Sequence, residues 1–192
     1  DLDGTLVDSA SDLAYAGNLM RKELGLPPLE ESEIKTFIGK GIANLVQRAL
    51  QKGREHEPIA DDYFRTALHI FEDHYERVMC STTAPYPRVI AGLEAARSKG
   101  LRIACITNKA AHFTERMLDQ MGLAKYFELT LSGDSLPHKK PHPEPLLYAA
   151  RHFGIHPSEL LMVGDSESDV DAAHNAGSPV FILSYGYFQG ND

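Results

Sequence analysis

The second half of the chain alternates short apolar runs with amphipathic ones. Apolar stretches of strand length cover residues 101–107, 126–132, 160–163 and 179–183. Between them apolar positions recur at helical spacing, which predicts helices over residues 111–121, 143–153 and 169–175. A glycine follows each of these helices within two residues as a stop signal. Strands and helices that alternate through short connections predict a parallel sheet covered on both faces.

The first half of the chain has a helical pattern throughout. Amphipathic stretches that predict helices cover residues 11–24, 32–37, 43–52 and 60–79. No strand pattern of any strength occurs between them. This change predicts an α/β core made of residues 1–9 and 84–192, interrupted by a helical cap of residues 10–83. A proline-containing linker near residues 82–87 joins the two parts.

The chain opens on Asp1, at the start of its first polar motif. A residue at the carboxyl end of a central strand needs several apolar residues before it to form that strand. We therefore expect further residues before Asp1, and we expect the polypeptide to continue beyond both ends of this sequence.

An acidic composition narrows the classes of function. The 192 residues include 19 Lys and Arg against 27 Asp and Glu, a formal charge of −8 at pH 7. Nucleic-acid binding depends on basic patches that neutralise phosphates, so we expect no nucleic-acid partner. No apolar run approaches the roughly 20 residues of a membrane span, so we expect no membrane partner. We expect a monomer or a small homo-oligomer.

The two cysteines, Cys80 and Cys105, are far apart in the sequence and lie in apolar surroundings. This pattern is typical of reduced, buried thiols and not of a disulfide framework or a metal knuckle. We therefore predict a cytoplasmic protein.

Polar side chains follow the predicted strands at the edge where ligands bind in an open parallel sheet. They are Asp1, Asp3, Thr107, Asn108, Lys140, Asp165 and Asp169. Mg²⁺ prefers carboxylate oxygens, with phosphate oxygens and water completing its shell, and a carboxylate can attack phosphorus as a nucleophile. The set therefore favours Mg²⁺-assisted phosphoryl transfer.

Four motifs resemble those of the haloacid dehalogenase-like phosphatases and occur in that family's order. They are residues 1–9 (DLDGTLVDS), 106–108 (ITN), 140–141 (KP) and 164–169 (GDSESD). The helical insert falls where the family has its smaller cap, so the resemblance covers essentially the whole chain. It implies a Rossmann-like parallel sheet core with an inserted α-helical cap domain, and a small phosphate monoester as substrate.

The resemblance also implies a catalytic role for each matching residue. Asp1 would attack phosphorus, and Asp3 would protonate the leaving oxygen and then activate water. Thr107 and Asn108 would hold the phosphoryl oxygens, and Lys140 would offset the negative charge of the nucleophile and of the transferring group.

The metal ligands implied by the resemblance are Asp1, the backbone carbonyl of Asp3, and Asp165, with Mg²⁺ as the cofactor. Asp169 would instead orient Lys140 or a metal-bound water.

Within the family, three stretches are most similar to the phosphoglycolate phosphatases: residues 8–14, 37–41 and 139–143. This implies 2-phosphoglycolate as the substrate and a role in carbohydrate metabolism. Lys40, between Gly39 and Gly41, is the candidate cap residue for binding the substrate's anionic groups, because flanking glycines allow close approach. For Lys109, a solvated loop position is the simpler interpretation and a substrate contact the alternative.

Other proteins use similar residues. A phospho-receiver domain has a phosphorylatable Asp, Thr and Lys-Pro on a parallel sheet, but the helical insert and the base at Asp3 argue against it. Asp3 also argues against a dehalogenase, because that reaction needs neither Mg²⁺ nor an acid for the leaving group. A phosphatase or phosphomutase of the same superfamily that acts on sugar phosphates or nucleotides stays open.

Overall fold

The computed structural model describes residues 1–54 and 57–187, across which the chain forms eight α-helices and six short strands. Residues 55–56 of the predicted cap and 188–192 of the predicted core lie outside the described residues. The first four helices follow one another without an intervening strand: α1 (Ala10–Glu23), α2 (Glu31–Lys35), α3 (Ile42–Gln51) and α4 (Asp61–Val78). We call residues 10–83 the helical segment.

The rest of the chain alternates strands and helices, as its apolar pattern predicts. The elements are α5 (Val89–Ser98), β3 (Ala104–Ile106), α6 (Ala111–Gln120), β4 (Leu129–Leu131), α7 (Glu144–Phe153), β5 (Met162–Gly164), α8 (Glu167–Ala176) and β6 (Val180–Ile182). Strands β3 and β4 pair in parallel, and so do β5 and β6. The predicted parallel α/β fold is confirmed.

Local details differ from the predictions, and the strand expected over residues 101–107 is confined to Ala104–Ile106. The strand expected over residues 126–132 begins only at Leu129, because Ala124–Tyr126 forms a 3₁₀ turn that directs the chain into the sheet. Helix α5 was not predicted, since it follows two prolines and contains Gly92.

Apolar packing joins the helical segment to the α/β part of the chain. Phe71 and Tyr75 of α4 are fully buried, and the Tyr75 ring packs edge to face on Phe113 of α6 with centroids 5.0 Å apart. Leu2, within the first motif, belongs to the same continuous cluster of buried residues. The position of α4 is therefore tied to the strand ends by contact and not only by the chain.

Both cysteines are free thiols, but only Cys105 is buried and Cys80 is half-buried, which corrects the expectation that both are buried. Among the described residues, no helix combines the length and the apolar character that crossing a membrane requires.

The chain leaves the α/β part and returns to it at adjacent positions. Strand β1 (Val7–Asp8) pairs antiparallel with β2 (Ala84–Pro85), so that Asp8 lies opposite Ala84. Two-residue strands carry no sequence pattern, and neither was predicted. The domain boundaries at residues 9/10 and 83/84 fall beside this ribbon, and the division into two domains stays a prediction.

Asp12 ties the two ends of the helical segment together. Its buried carboxylate, in the first turn of α1, accepts hydrogen bonds from the hydroxyls of Thr82 and Thr83 at 2.6 Å each and from their backbone N–H groups at 3.0 Å each. Burial by itself raises the pKa of Asp12, but these four hydrogen bonds outweigh it and hold the pKa below its usual value. The ionised carboxylate therefore stabilises the fold.

Asp12→Asn tests this tie. The amide cannot accept all four hydrogen bonds, so we expect the free energy of unfolding at pH 7 to fall by about 2–4 kcal/mol, measured by urea denaturation. Because the folded pKa is depressed, the difference from the wild type should be full above the unfolded pKa of about 4 and shrink as the pH falls below it. Asp119→Asn, at an exposed position, is the matched control. An unchanged urea midpoint for Asp12→Asn would contradict the tie.

Candidate active site

Lys140 is the centre of a buried ionic cluster at the carboxyl ends of the parallel strands. Its ammonium nitrogen lies 3.0 Å from Asp1 Oδ1, and it donates to Asp169 Oδ1 at 2.6 Å and to the Ile106 carbonyl at 2.8 Å. Lys140 thus donates two hydrogen bonds and forms an ion pair with Asp1, and its side chain is 1% exposed. The backbone nitrogen of Asp1 donates to the Val163 carbonyl of β5 at 2.8 Å, which holds Asp1 against the sheet.

Asp169 is held from both sides. While Oδ1 accepts from Lys140, Oδ2 accepts from the Ser166 hydroxyl at 2.7 Å and from the backbone N–H groups of Ser166 and Asp165. Burial by itself raises the pKa of Asp169, but the charge of Lys140 and these hydrogen bonds lower it to about 2. This geometry suits the predicted role of orienting Lys140.

The Asp165 carboxylate is enclosed by backbone. It accepts from the Thr5 hydroxyl at 2.6 Å and from the Tyr187 backbone N–H at 2.7 Å. Gly4 lies so close that a Cβ added there would stand 2.1 Å from Asp165 Oδ2, and its φ of +84° also requires glycine. Burial raises the pKa of Asp165 despite these hydrogen bonds.

Three carboxylates meet closely enough to share one cation. Oxygens of Asp1, Asp165 and Asp169 lie within 4.8 Å of one another, with Lys140 as the neighbouring cation. A hard divalent cation such as Mg²⁺ fits this all-oxygen donor set and offsets its excess negative charge. Asp1 and Asp165 belong to the predicted ligand set, whereas the Asp3 carboxylate points to other partners.

The partners of Asp3 include a residue whose role was misjudged from the sequence. Lys109 Nζ lies 3.2 and 3.1 Å from the two Asp3 carboxylate oxygens and 2.8 Å from the Tyr75 hydroxyl, and the Ser9 hydroxyl donates to Asp3 Oδ1 at 2.5 Å. The Lys109 side chain is 2% exposed, so the interpretation as a solvated loop lysine is wrong. Burial alone lowers the pKa of Lys109, but the Asp3 charge raises it above its usual value. No pattern in the sequence signals this burial.

Thr107 and Asn108 are buried where β3 ends. The Asn108 amide nitrogen donates to the Lys140 carbonyl at 2.8 Å and to the Gly39 carbonyl at 3.0 Å, so it links the helical segment to the loop that carries Lys140. The neighbouring Lys40 is exposed and lies 3.4 Å from Glu167 of α8. A substrate contact of Lys40 stays a prediction.

A small cavity opens between this strand edge and the helical segment. The strand-end side is polar, and the helical segment contributes mostly apolar residues. The walls comprise Asp1, Asp3, Thr107, Asn108 and Lys109 on one side and Leu13, Ile38, Gly39, Gly41, Ile42 and Leu45 on the other. A ligand in this cavity would meet charged groups at one end and be shielded from water at the other.

Similar proteins share both this sequence and this fold. Curated phosphoglycolate phosphatases of Nitrosospira multiformis and Nitrosococcus oceani are 49% and 46% identical over all 192 residues, which correspond to 84% and 85% of those proteins. A crystal structure of a predicted phosphoglycolate phosphatase from Haemophilus somnus superimposes with a TM-score of 0.92 at 38% identity, covering 98% of this chain and 84% of that one.

A family model described as haloacid dehalogenase-like hydrolase matches residues 1–183, nearly the whole chain. This match confirms the resemblance drawn from the four motifs and removes the phospho-receiver alternative. The chain belongs to the haloacid dehalogenase-like hydrolases, as a phosphoric monoester hydrolase similar to the phosphoglycolate phosphatases.

Proposed function

We propose that this hydrolase is a Mg²⁺-dependent phosphatase that converts 2-phosphoglycolate to glycolate and phosphate through an aspartyl-phosphate on Asp1. The observation that carries the proposal is the cluster of Asp1, Asp165 and Asp169 beside Lys140, in which Asp1 also lines the cavity. The substrate's identity rests on the curated relatives named phosphoglycolate phosphatase.

The first step is attack by an Asp1 oxygen on phosphorus. Lys140, 3.0 Å from Asp1, offsets the negative charge that the incoming phosphoryl group brings beside the carboxylate. The Thr107 hydroxyl and the Asn108 backbone N–H hold the phosphoryl oxygens, since both residues line the cavity. The bond from phosphorus to the glycolate oxygen breaks as the bond to Asp1 forms.

Asp3 acts twice in the proposed cycle. In its protonated form it gives a proton to the departing glycolate oxygen, and the resulting carboxylate then takes a proton from the water that attacks the aspartyl-phosphate. Asp3 lines the same cavity as Asp1.

Asp1, Asp165 and the Asp3 backbone carbonyl would hold Mg²⁺, with Asp169 orienting Lys140 beside them. When bound, the ion supplies positive charge that draws the substrate phosphate to the nucleophile and reduces repulsion between the two anions. Burial raises the pKa of Asp165, and a cation bound beside it would favour the ionised form.

The helical segment serves as the cap domain of the proposed enzyme. A substrate of this size has no apolar group to anchor it, so charge and enclosure provide recognition. The apolar wall from Leu13, Ile38, Ile42 and Leu45 excludes water and strengthens the polar contacts inside. Lys40 is the proposed cap residue for the substrate's anionic groups.

The nucleophile is tested with Asp1→Asn, which keeps the shape of the side chain and removes its negative charge. We expect kcat to fall by about 10³-fold or more, measured as phosphate release. Asp3→Asn should also slow turnover severely while labelled aspartyl-phosphate accumulates, because hydrolysis of the intermediate lacks its base. Near-native turnover by Asp1→Asn would exclude it as the nucleophile, and exposed Asp119→Asn serves as the control.

The metal site is tested by chelation. Removing divalent cations should abolish phosphate release, and Mg²⁺ should restore it. Asp165→Asn should raise the Kd for Mg²⁺ by at least about 10-fold, since the loss of a ligating carboxylate exceeds the effect of an outer-shell partner, as measured by titration calorimetry without substrate. Mg²⁺ binding to Asp165→Asn with wild-type affinity would place the ion elsewhere.

The substrate is tested by comparing kcat/KM for 2-phosphoglycolate, a hexose phosphate and a nucleoside monophosphate. We expect kcat/KM for 2-phosphoglycolate to be at least about 10-fold higher than for the other two substrates, because the cavity is small. A wide preference for a hexose phosphate would favour the alternative substrates, and conversion of a sugar phosphate to its isomer without phosphate release would identify a phosphomutase.

A further inference from the structure

Lys109 and Tyr75 form a buried connection between the helical segment and Asp3. The Lys109 ammonium contacts both Asp3 oxygens, at 3.2 and 3.1 Å, and donates to the Tyr75 hydroxyl at 2.8 Å. We propose that Lys109, held by Tyr75, is a positioning residue that orients the Asp3 carboxylate for proton transfer to the leaving group. This inference rests on the proposed function, in which Asp3 is the acid and base.

The hydrogen bonds leave the two Asp3 oxygens unequal. Oδ1 accepts from both Ser9 and Lys109, whereas Oδ2 accepts only from Lys109 among the described residues. A carboxylate oxygen has two lone pairs, so Oδ2 keeps one for a proton. The ammonium and the Ser9 hydroxyl thus fix the plane of the carboxylate, and Oδ2 is the oxygen that exchanges a proton with the substrate.

The hydrogen bond to Tyr75 fixes the position of the Lys109 ammonium. A lysine has a flexible four-carbon stem, but the Tyr75 side chain is fully buried, and its ring packs on Phe113 at 5.0 Å and on Phe71 at 5.8 Å. A tyrosine so packed has a single orientation, and its hydroxyl therefore defines where the Lys109 nitrogen lies.

The three residues come from separate parts of the chain. Asp3 lies in the first motif and Lys109 follows β3, whereas Tyr75 belongs to α4 of the helical segment. The orientation of the Asp3 carboxylate consequently depends on the packing of α4 against the α/β part.

Leaving-group dependence separates positioning of an acid from other roles. Ethyl phosphate and 2-phosphoglycolate lose alkoxides that need a proton, whereas p-nitrophenyl phosphate loses a stable anion. We expect Lys109→Met to lower kcat/KM by about 10²-fold on both alkyl esters and by less than about 5-fold on the aryl ester. Tyr75→Phe should show the same selectivity with a loss of about 3–10-fold. Exposed Lys99→Met and Tyr15→Phe are the matched controls and should stay near the wild type.

The double variant checks that Tyr75 acts through Lys109. Adding Tyr75→Phe to Lys109→Met should not lower kcat/KM on ethyl phosphate any further, because the connection is already broken. Full additivity of the two losses would overturn the role of Tyr75. If thermal melting shows that Lys109→Met does not fold, Tyr75→Phe alone decides, by the same comparison of alkyl and aryl esters.

Two patterns of loss in Lys109→Met would overturn the inference. A loss confined to 2-phosphoglycolate would make Lys109 a ligand of the substrate carboxylate, and an equal loss on all three esters would indicate a general structural role. A wild-type enzyme that hydrolyses only the two esters without a carboxylate refutes the substrate assignment and leaves this comparison intact. A wild type inactive on all three refutes the proposed function, and the inference with it.

Discussion

Mutual repulsion among buried carboxylates is the constraint around which this hydrolase is built. Asp1, Asp165 and Asp169 have oxygens within 4.8 Å of one another, and anions so close and so desolvated repel strongly unless cations offset them. Lys140 takes this role for Asp1 and Asp169. The excess negative charge that remains would favour a divalent cation in the proposed enzyme.

Asp3 avoids that cluster by having its own cation. Lys109 pairs with Asp3 at 3.1 Å, so one buried ammonium serves Asp1 and Asp169 and the other serves Asp3. Each lysine is almost completely buried and holds carboxylates in one orientation. The same two lysines therefore both balance the negative charge of the carboxylates and fix their orientation.

The residues at the strand ends could be predicted from the sequence, because β3 and β5 are apolar runs that end at polar motifs. The connection through Lys109 could not be predicted. A lysine after a strand has the same pattern whether it is solvated or buried, and its partner Tyr75 lies 34 residues away on α4. Helix α5 and the ribbon of β1 and β2 were missed because Gly92, two prolines and two-residue strands give no periodic signal.

The ribbon of β1 and β2 also bears on how such a protein can diversify. Asp8 and Ala84 lie opposite each other, so the two ends of the helical segment are separated by about one strand spacing, roughly 5 Å. Any folded unit whose ends are similarly close can occupy this place without changing the order or spacing of the strands. Replacement of the helical segment through such a pair of ends would therefore leave the strand ends, and the charged residues that follow them, in place.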